Sequence, residues 1–289
     1  MDEDQFYCTQ VVPKEVTYEQ CLELGELQSR GFEGDEYIEY IRGQKYAVNV
    51  QYSVLLQGIK DPRERLNEMV SWAKRYRTLV NSWARVFYVL IHQSGIDLHL
   101  AIDKNTEKPV GISLWKYPPH MAAELDQKLG RMGILWTLKT WWVKFTCFLP
   151  EFWLRLRGLH PSQNERSNLV HSEADKVIRE NIDKIASQES RDSYNNPLEP
   201  MVSLKDFVIS PDYQRRGLGQ RLMKFSFETI PNVRIPLSGS KTEAQRLYLN
   251  ASPPGFGMYQ KAGWKFTGVK VVFSVLRPEA AGSVMTLTR

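Results

Sequence analysis

Between Ser210 and Leu222 the chain reads Ser-Pro-Asp-Tyr-Gln-Arg-Arg-Gly-Leu-Gly-Gln-Arg-Leu. Gln214, Arg215, Arg216, Gly217, Leu218, Gly219 and Gln220 have the residue types of an anion cradle. Two glycines one residue apart let backbone amides converge on a ligand with no Cβ in the way. A helix starting there adds about half a positive charge at its N-terminus, so the chemistry would be the holding of a phosphate or diphosphate. Arg215 and Arg216 add cations at the rim. The plainer reading is a tight strand-to-helix turn with solvated arginines, and the glycine pair alone does not decide between them.

The flanking elements suit a cradle. Met201 to Ile209 is strand-like and ends at Ser210-Pro211, while Leu222, Phe225 and Phe227 mark a helix running to about Thr229. Upstream, Thr17 to Arg30 reads as a short helix ended by a cap at Gly31. Asp61-Pro62 opens a long amphipathic helix. Tyr46 to Ile59 fits a strand and a helix equally, and stays open. Ile96 to Ile102 and Val110 to Trp115 form a hairpin about a polar turn. Residues 118–200 change character, with a tryptophan-rich helical stretch, a polar loop and a second amphipathic helix, and read as an insertion. Leu247 to Ala251 is strand-like, Gly255 to Ala262 a short helix, and Trp264 to Leu276 and Val284 to Thr288 closing strands.

Placed in that order, Met201 to Gly268 resembles the GCN5-related N-acetyltransferases, whose signature is Gln or Arg, two residues, Gly, one residue, then Gly or Ala. A second block resembles the family too: Leu247-Tyr248-Leu249-Asn250-Ala251-Ser252, then Met258-Tyr259-Gln260-Lys261-Ala262-Gly263-Trp264, with tryptophan where a phenylalanine is common. More loosely, the spacing is similar to that of fungal members. The resemblance implies an α/β (α+β) fold: a mixed, mostly antiparallel sheet flanked by helices, one domain over 1–289 with the helical insertion 118–200 between its third and fourth strands. It implies acetyl-CoA as cofactor, with Phe207, Val208 and Ile209 along the pantetheine arm and Gln214 through Gln220 around the diphosphate. Ser252 would also contact it, although Pro253 and Pro254 replace the asparagine that many relatives use there. Tyr259 would protonate the departing thiolate; its plainer reading is a core anchor.

The implied reaction is direct attack of a primary amine, on a small molecule, in a ternary complex. The alternatives are acetylation of a protein lysine or N-terminus, and a regulatory module that binds acyl-CoA without turnover. Glutamate bases of relatives stand where this chain has Tyr248 and Ser203. The base is therefore open among Asp206, Glu199, His99 and His120, or a water relay, with Asp206 taken as the catalytic candidate.

Composition is that of an ordinary globular chain: 289 residues, 42% hydrophobic and 25% charged, which excludes wholesale disorder. A net charge of +5 favours anionic partners but is too diffuse for nucleic acid. Cys8, Cys21 and Cys147 are scattered, so a reduced, metal-free protein is expected. The acidic start, Met1-Asp2-Glu3-Asp4, and the lack of a run near the roughly 20 apolar residues of a spanning helix point to a cytoplasmic protein without a transmembrane segment. Residues 131–157 hold Trp136, Trp141, Trp142 and Trp153 and a broad apolar arc. Packing against the chain's own core is the default for it; a lid over an apolar acceptor and peripheral membrane contact are the alternatives.

Overall fold

The computed structural model describes residues 5–32, 58–158, 164–272 and 281–289. The undecided stretch from Tyr46 lies outside them up to residue 57, as do residues 273–276 of the expected closing strand. The chain opens with a strand that sequence periodicity did not mark, β1 (Phe6–Gln10). Helix α1 (Tyr18–Gly31) follows, with Thr17 accepting from the Gln20 amide and the Gln20 side chain accepting from the Thr17 amide, a complete capping box. Helix α2 (Pro62–Ile91) is capped by Asp61, whose carboxylate accepts from the Arg63 amide at 3.0 Å. Strands β2 (Ile96–Asp103) and β3 (Lys108–Lys116) form the expected hairpin.

Among the described residues five helices separate β3 from the next strand: α3 (Pro119–Lys128), α4 (Ile134–Leu156), α5 (Asn164–Glu180), α6 (Ile182–Ile185) and α7 (Gln188–Ser193). Then come β4 (Val202–Ile209), α8 (Leu218–Thr229), the short pair β5 (Ile235–Pro236) and β6 (Thr242–Glu243), β7 (Arg246–Ala251), α9 (Pro253–Lys261), β8 (Lys265–Val271) and β9 (Gly282–Thr288).

The main sheet has the order β1-β2-β3-β4-β7-β9-β8, antiparallel at every step except β4 beside β7. This is the mixed, mostly antiparallel sheet expected. A parallel neighbour requires a crossover, and α8 lies within it, against β1, β2, β3 and β4. On the α8 side Trp115, Leu222, Met223, Leu247, Tyr259 and Trp264 are buried. On the opposite side α1 and α2 bury Leu24, Phe87, Ile91, Leu98, Ile112 and Val208 together. Beyond them α5 and α6 cover β8 and β9 through Val177, Ile178 and Ile185.

Two expectations are corrected. Gly31 belongs to α1 and Phe32 is its C-cap, so the glycine is not a left-handed cap. A Cβ at Gly31 would stand 2.0 Å from Val208 Cγ1, and close approach of the helix to β4 is what requires glycine there. The apolar arc of 131–157 does not face the core. Leu135, Trp141, Trp142 and Phe148 are exposed, because α4 meets α2 through a narrow stripe that includes Val143 and Cys147.

Candidate active site

The parallel pairing of β4 with β7 covers Val202 with Leu247 and Ser203 with Tyr248. Past these rungs the two strands part, while β7 stays paired with β9 as far as Ala251 and β4 with β3 as far as Ile209. A wedge therefore opens toward the carboxyl ends of β4 and β7, lined on the β4 edge by backbone that an extended ligand can pair with. Ligands of open α/β sheets bind at such carboxyl ends. The register against β3 also shifts here: Leu114 faces Asp206 and Trp115 faces Leu204, leaving Lys205 as an extra residue. Such a bulge sharpens the strand's twist and re-aims its side chains.

Directly after β4, the chain turns through a short 3-10 segment, Pro211–Tyr213, into α8. Three contacts anchor the turn. Gln214 Nε2 donates to the Ile209 carbonyl at 3.0 Å, Tyr213 Oη donates to Asp103 Oδ2 at 2.7 Å, and the Leu218 side chain is buried with Phe6 and Leu222. The hydrogen bond to Asp103 pushes the Tyr213 phenol up and holds the Asp103 carboxyl down. Arg30 of α1 pairs with Asp212 at 2.8 Å on the surface, a contact of small energetic weight.

Gly217 is the N-cap of α8 at φ 78°, and Arg215 also lies in the left-handed region at φ 59°, a rare conformation for a residue with a Cβ. Among the described residues the amides of Arg215 through Gly219 have no acceptor, whereas those of Gln220 and Arg221 bond back to the Gly217 carbonyl. A Cβ at Gly217 would meet nothing within 4 Å. Free converging amides, open space in front of them and the positive end of a helix fit a diphosphate. Gly219 differs: a Cβ there would touch Phe207, Ile209 and Met258 at 3.6–3.7 Å, an ordinary contact. Arg215 and Arg216 are exposed, and the Arg216 guanidinium lies 5.7 Å from the Tyr213 ring.

Of the remaining expected residues, those of β4 and α9 flank the wedge and His99 does not. Phe207 and Ile209 pack on the α8 side, and Val208 is buried on the α1 side. Ser252 is the N-cap of α9, where Pro253 and Pro254 remove two of the amides that a helix N-terminus would otherwise present. Tyr259, from α9, is buried edge-on to Phe207 with ring centroids 6.0 Å apart. Burial first, and the Asp206 charge second, push its phenol well above the usual tyrosine range. Asp206 sits on the α1 side of β4, where Gln28 Nε2 donates to its Oδ2 at 2.5 Å. Glu199 and His120 are exposed. His99 is fully buried two strands away, with Nδ1 2.9 Å from Ser226 Oγ and Nε2 3.1 Å from Asp97 Oδ2.

Two residues of this region, Gln28 and Lys205, escaped the sequence reading, in which Tyr248 figured only as standing where relatives carry a glutamate base. Gln28 left one legible signal, a polar residue on the buried stripe of Cys21 and Leu24. Lys205 left none, because the bulge that aims it at the Tyr248 ring, 5.8 Å away, appears only with the strand register. Surrounding protein lowers the Lys205 pKa, with Asp175 of α5 opposing, although the residue keeps solvent contact that limits the effect. Burial raises the Tyr248 phenol, with Ser203 opposing. Cys21 offers no nucleophile, since burial pushes its thiol to about 12.

No family model and no curated protein sequence matches the chain. Among solved structures it is similar to a histone acetyltransferase HPA2 and related acetyltransferase from Corynebacterium glutamicum, at 12% identity over 96% of this chain and 94% of that one, with a TM-score of 0.42. It is also similar to a mosquito arylalkylamine N-acetyltransferase like 5b, at 13% identity over 98% and 100% with a TM-score of 0.38. A putative acetyltransferase of the GNAT family from Desulfovibrio desulfuricans matches at 11% identity over 98% of each chain, with a TM-score of 0.35. Identities and scores this low carry no functional weight, which rests instead on the strand order and the wedge of this chain.

Proposed function

We propose that the chain is an N-acetyltransferase that takes acetyl-CoA as cofactor and a primary amine on a small molecule as acceptor. One observation carries this reading: a parallel strand pair that parts after two rungs, beside a helix whose free N-terminal amides face open space. The amides of Arg215 through Gly219 would hold the diphosphate, with Arg215 and Arg216 at the rim. The open edge of β4 over Phe207, Val208 and Ile209 would pair with the pantetheine amides, and Ser252, the N-cap of α9, would contact the cofactor as well. When bound, acetyl-CoA supplies an acetyl group already activated as a thioester.

The protein's own part is then proton handling and orientation. An amine attacks only when neutral, and Asp206 is the carboxylate beside the wedge that can take the ammonium proton, with Gln28 fixing its orientation. Tyr259 Oη, held protonated, would give a proton to a departing thiolate from the α9 side. The helical segment between β3 and β4, whose α5 and α6 pack on β8 and β9, would form the acceptor side, and a small amine is the acceptor we read it to take.

The test is thiol release from acetyl-CoA in the presence of a panel of small primary amines, with lysine peptides and N-terminal peptides in parallel. Amine-dependent release with small amines is expected. Release only with peptides would replace the acceptor class, and acetyl-CoA binding without release from any acceptor would leave a non-catalytic binding module.

A further inference from the structure

Helix α4 turns its aromatic stripe outward. Ile134 and Leu135 are 76% and 80% exposed, and Trp141, Trp142, Phe148 and Trp153 each exceed half. At 100° per residue these side chains, with Leu138, Phe145, Phe152 and Leu156, share an arc of about 140°. They stack along the helix, Trp141 on Phe145 at 5.5 Å and Phe148 on Phe152 at 5.8 Å, so the face is continuous. An exposed apolar surface of this length is foreign to an isolated soluble domain.

The opposite side of α4 fastens it to the protein. Val143 and Cys147 are buried, Trp136 stacks on His92 at 5.1 Å, and Thr140 Oγ1 donates to the His92 carbonyl. The helix's one acidic residue, Glu151, points inward as well, paired with Arg85 of α2 at 2.5 Å and accepting from Ser82. Its three cations and the C-cap residue Arg157 flank the apolar arc: by the same helical arithmetic Lys139 and Arg157 lie along one edge, Lys144 and Arg155 along the other. An apolar face between two cationic rows, with the only carboxylate withdrawn, is complementary to an anionic lipid surface. A second copy laid face to face would set cation rows against cation rows, which like-charge repulsion opposes. No helix among the described residues is long and apolar enough to cross a membrane, so the geometry available to α4 is in-plane.

We propose that α4 docks the protein on an anionic bilayer, its rings at the acyl boundary and Lys139, Lys144, Arg155 and Arg157 on headgroup phosphates. The full-length chain, mixed with phosphatidylcholine vesicles with and without phosphatidylserine and sedimented at low and high salt, tests it. Binding is expected only with phosphatidylserine, and weakened by salt. Trp141→Glu with Phe148→Glu should reduce it about tenfold or more, and so should Lys144→Glu with Arg155→Glu; all four side chains are exposed and leave the fold intact. No co-sedimentation at low salt, or binding indifferent to both pairs of substitutions, would overturn the proposal. So would lipid-free dimerisation by light scattering that the aromatic pair abolishes in the absence of any vesicle binding.

Discussion

Tyr259 and Asp206 approach the wedge between β4 and β7 from opposite sides of the sheet, the phenol from α9 and the carboxylate from the α1 side. Their mutual influence follows from that placement, since the Asp206 charge adds to burial in keeping the Tyr259 proton on. In the proposed reaction Tyr259 would give one proton and Asp206 take another, and that separation suits the two roles. Tyr259→Phe keeps the ring packing against Phe207 and Trp264 and removes only the hydroxyl, so kcat should fall by roughly 10²-fold with acetyl-CoA affinity preserved. Steady-state kinetics and calorimetry together check this; unchanged turnover would remove Tyr259 from the chemistry. The turn into α8 was legible in the sequence from its glycine spacing, whereas Tyr259 was singled out by the family resemblance alone. Asp206 was one candidate among four, and its partner Gln28 lies 178 residues away, a separation that no local pattern encodes.

Elements place these residues through two close approaches. Helix α1 reaches β4 because Gly31 lets it pass Val208, and it reaches α2 because Gly25 has no side chain: a Cβ there would sit 2.4 Å from the Val80 carbonyl oxygen and 3.0 Å from the Ala84 nitrogen. Those atoms are backbone and cannot rotate away. Gly25→Ala should therefore cost about 1–3 kcal/mol in urea unfolding, as overpacking does, and a cost below about 0.5 kcal/mol would show that the helices yield. The sequence marked α1 by its cap and α2 by Asp61-Pro62, since start signals are local. It misassigned Gly31, because a glycine at a helix end looks the same whether it serves a left-handed turn or a neighbouring strand. The outward face of α4 was likewise illegible: periodicity shows that an apolar arc exists, not which way tertiary packing turns it.

Across the molecule, a buried polar network ties the β1 edge to the sheet. Asp97 is fully buried, accepts from Gln10 at 2.9 and 3.0 Å and from Tyr117 at 3.1 Å, and lies 3.1 Å from His99 Nε2. Burial alone would raise its pKa, but those hydrogen bonds and the His99 charge outweigh burial and hold it below the ordinary carboxylate value. A depressed pKa contributes stability above the unfolded value of about 4 and loses it as pH falls through the folded value. The melting temperature should accordingly drop as pH is lowered below about 4, and less steeply in Asp97→Asn; parallel slopes by calorimetry would assign the acid sensitivity elsewhere.

The strand order that frames the wedge was anticipated in class, while the parting of β4 from β7 depends on register and on the Lys205 bulge, both products of long-range pairing. The direct test of the cradle is calorimetric titration of acetyl-CoA into the wild-type chain, Gly219→Ala and Gly217→Val. A valine at Gly217 would project its side chain into the open space before the amides, and an alanine at Gly219 would only touch Phe207, Ile209 and Met258. One-to-one binding is expected in the first two proteins, weakened at least about tenfold in Gly217→Val, roughly the 1.4 kcal/mol that converts to that factor. No heat of binding in the wild type, or equal affinity in all three, would contradict a diphosphate held by residues 215–219.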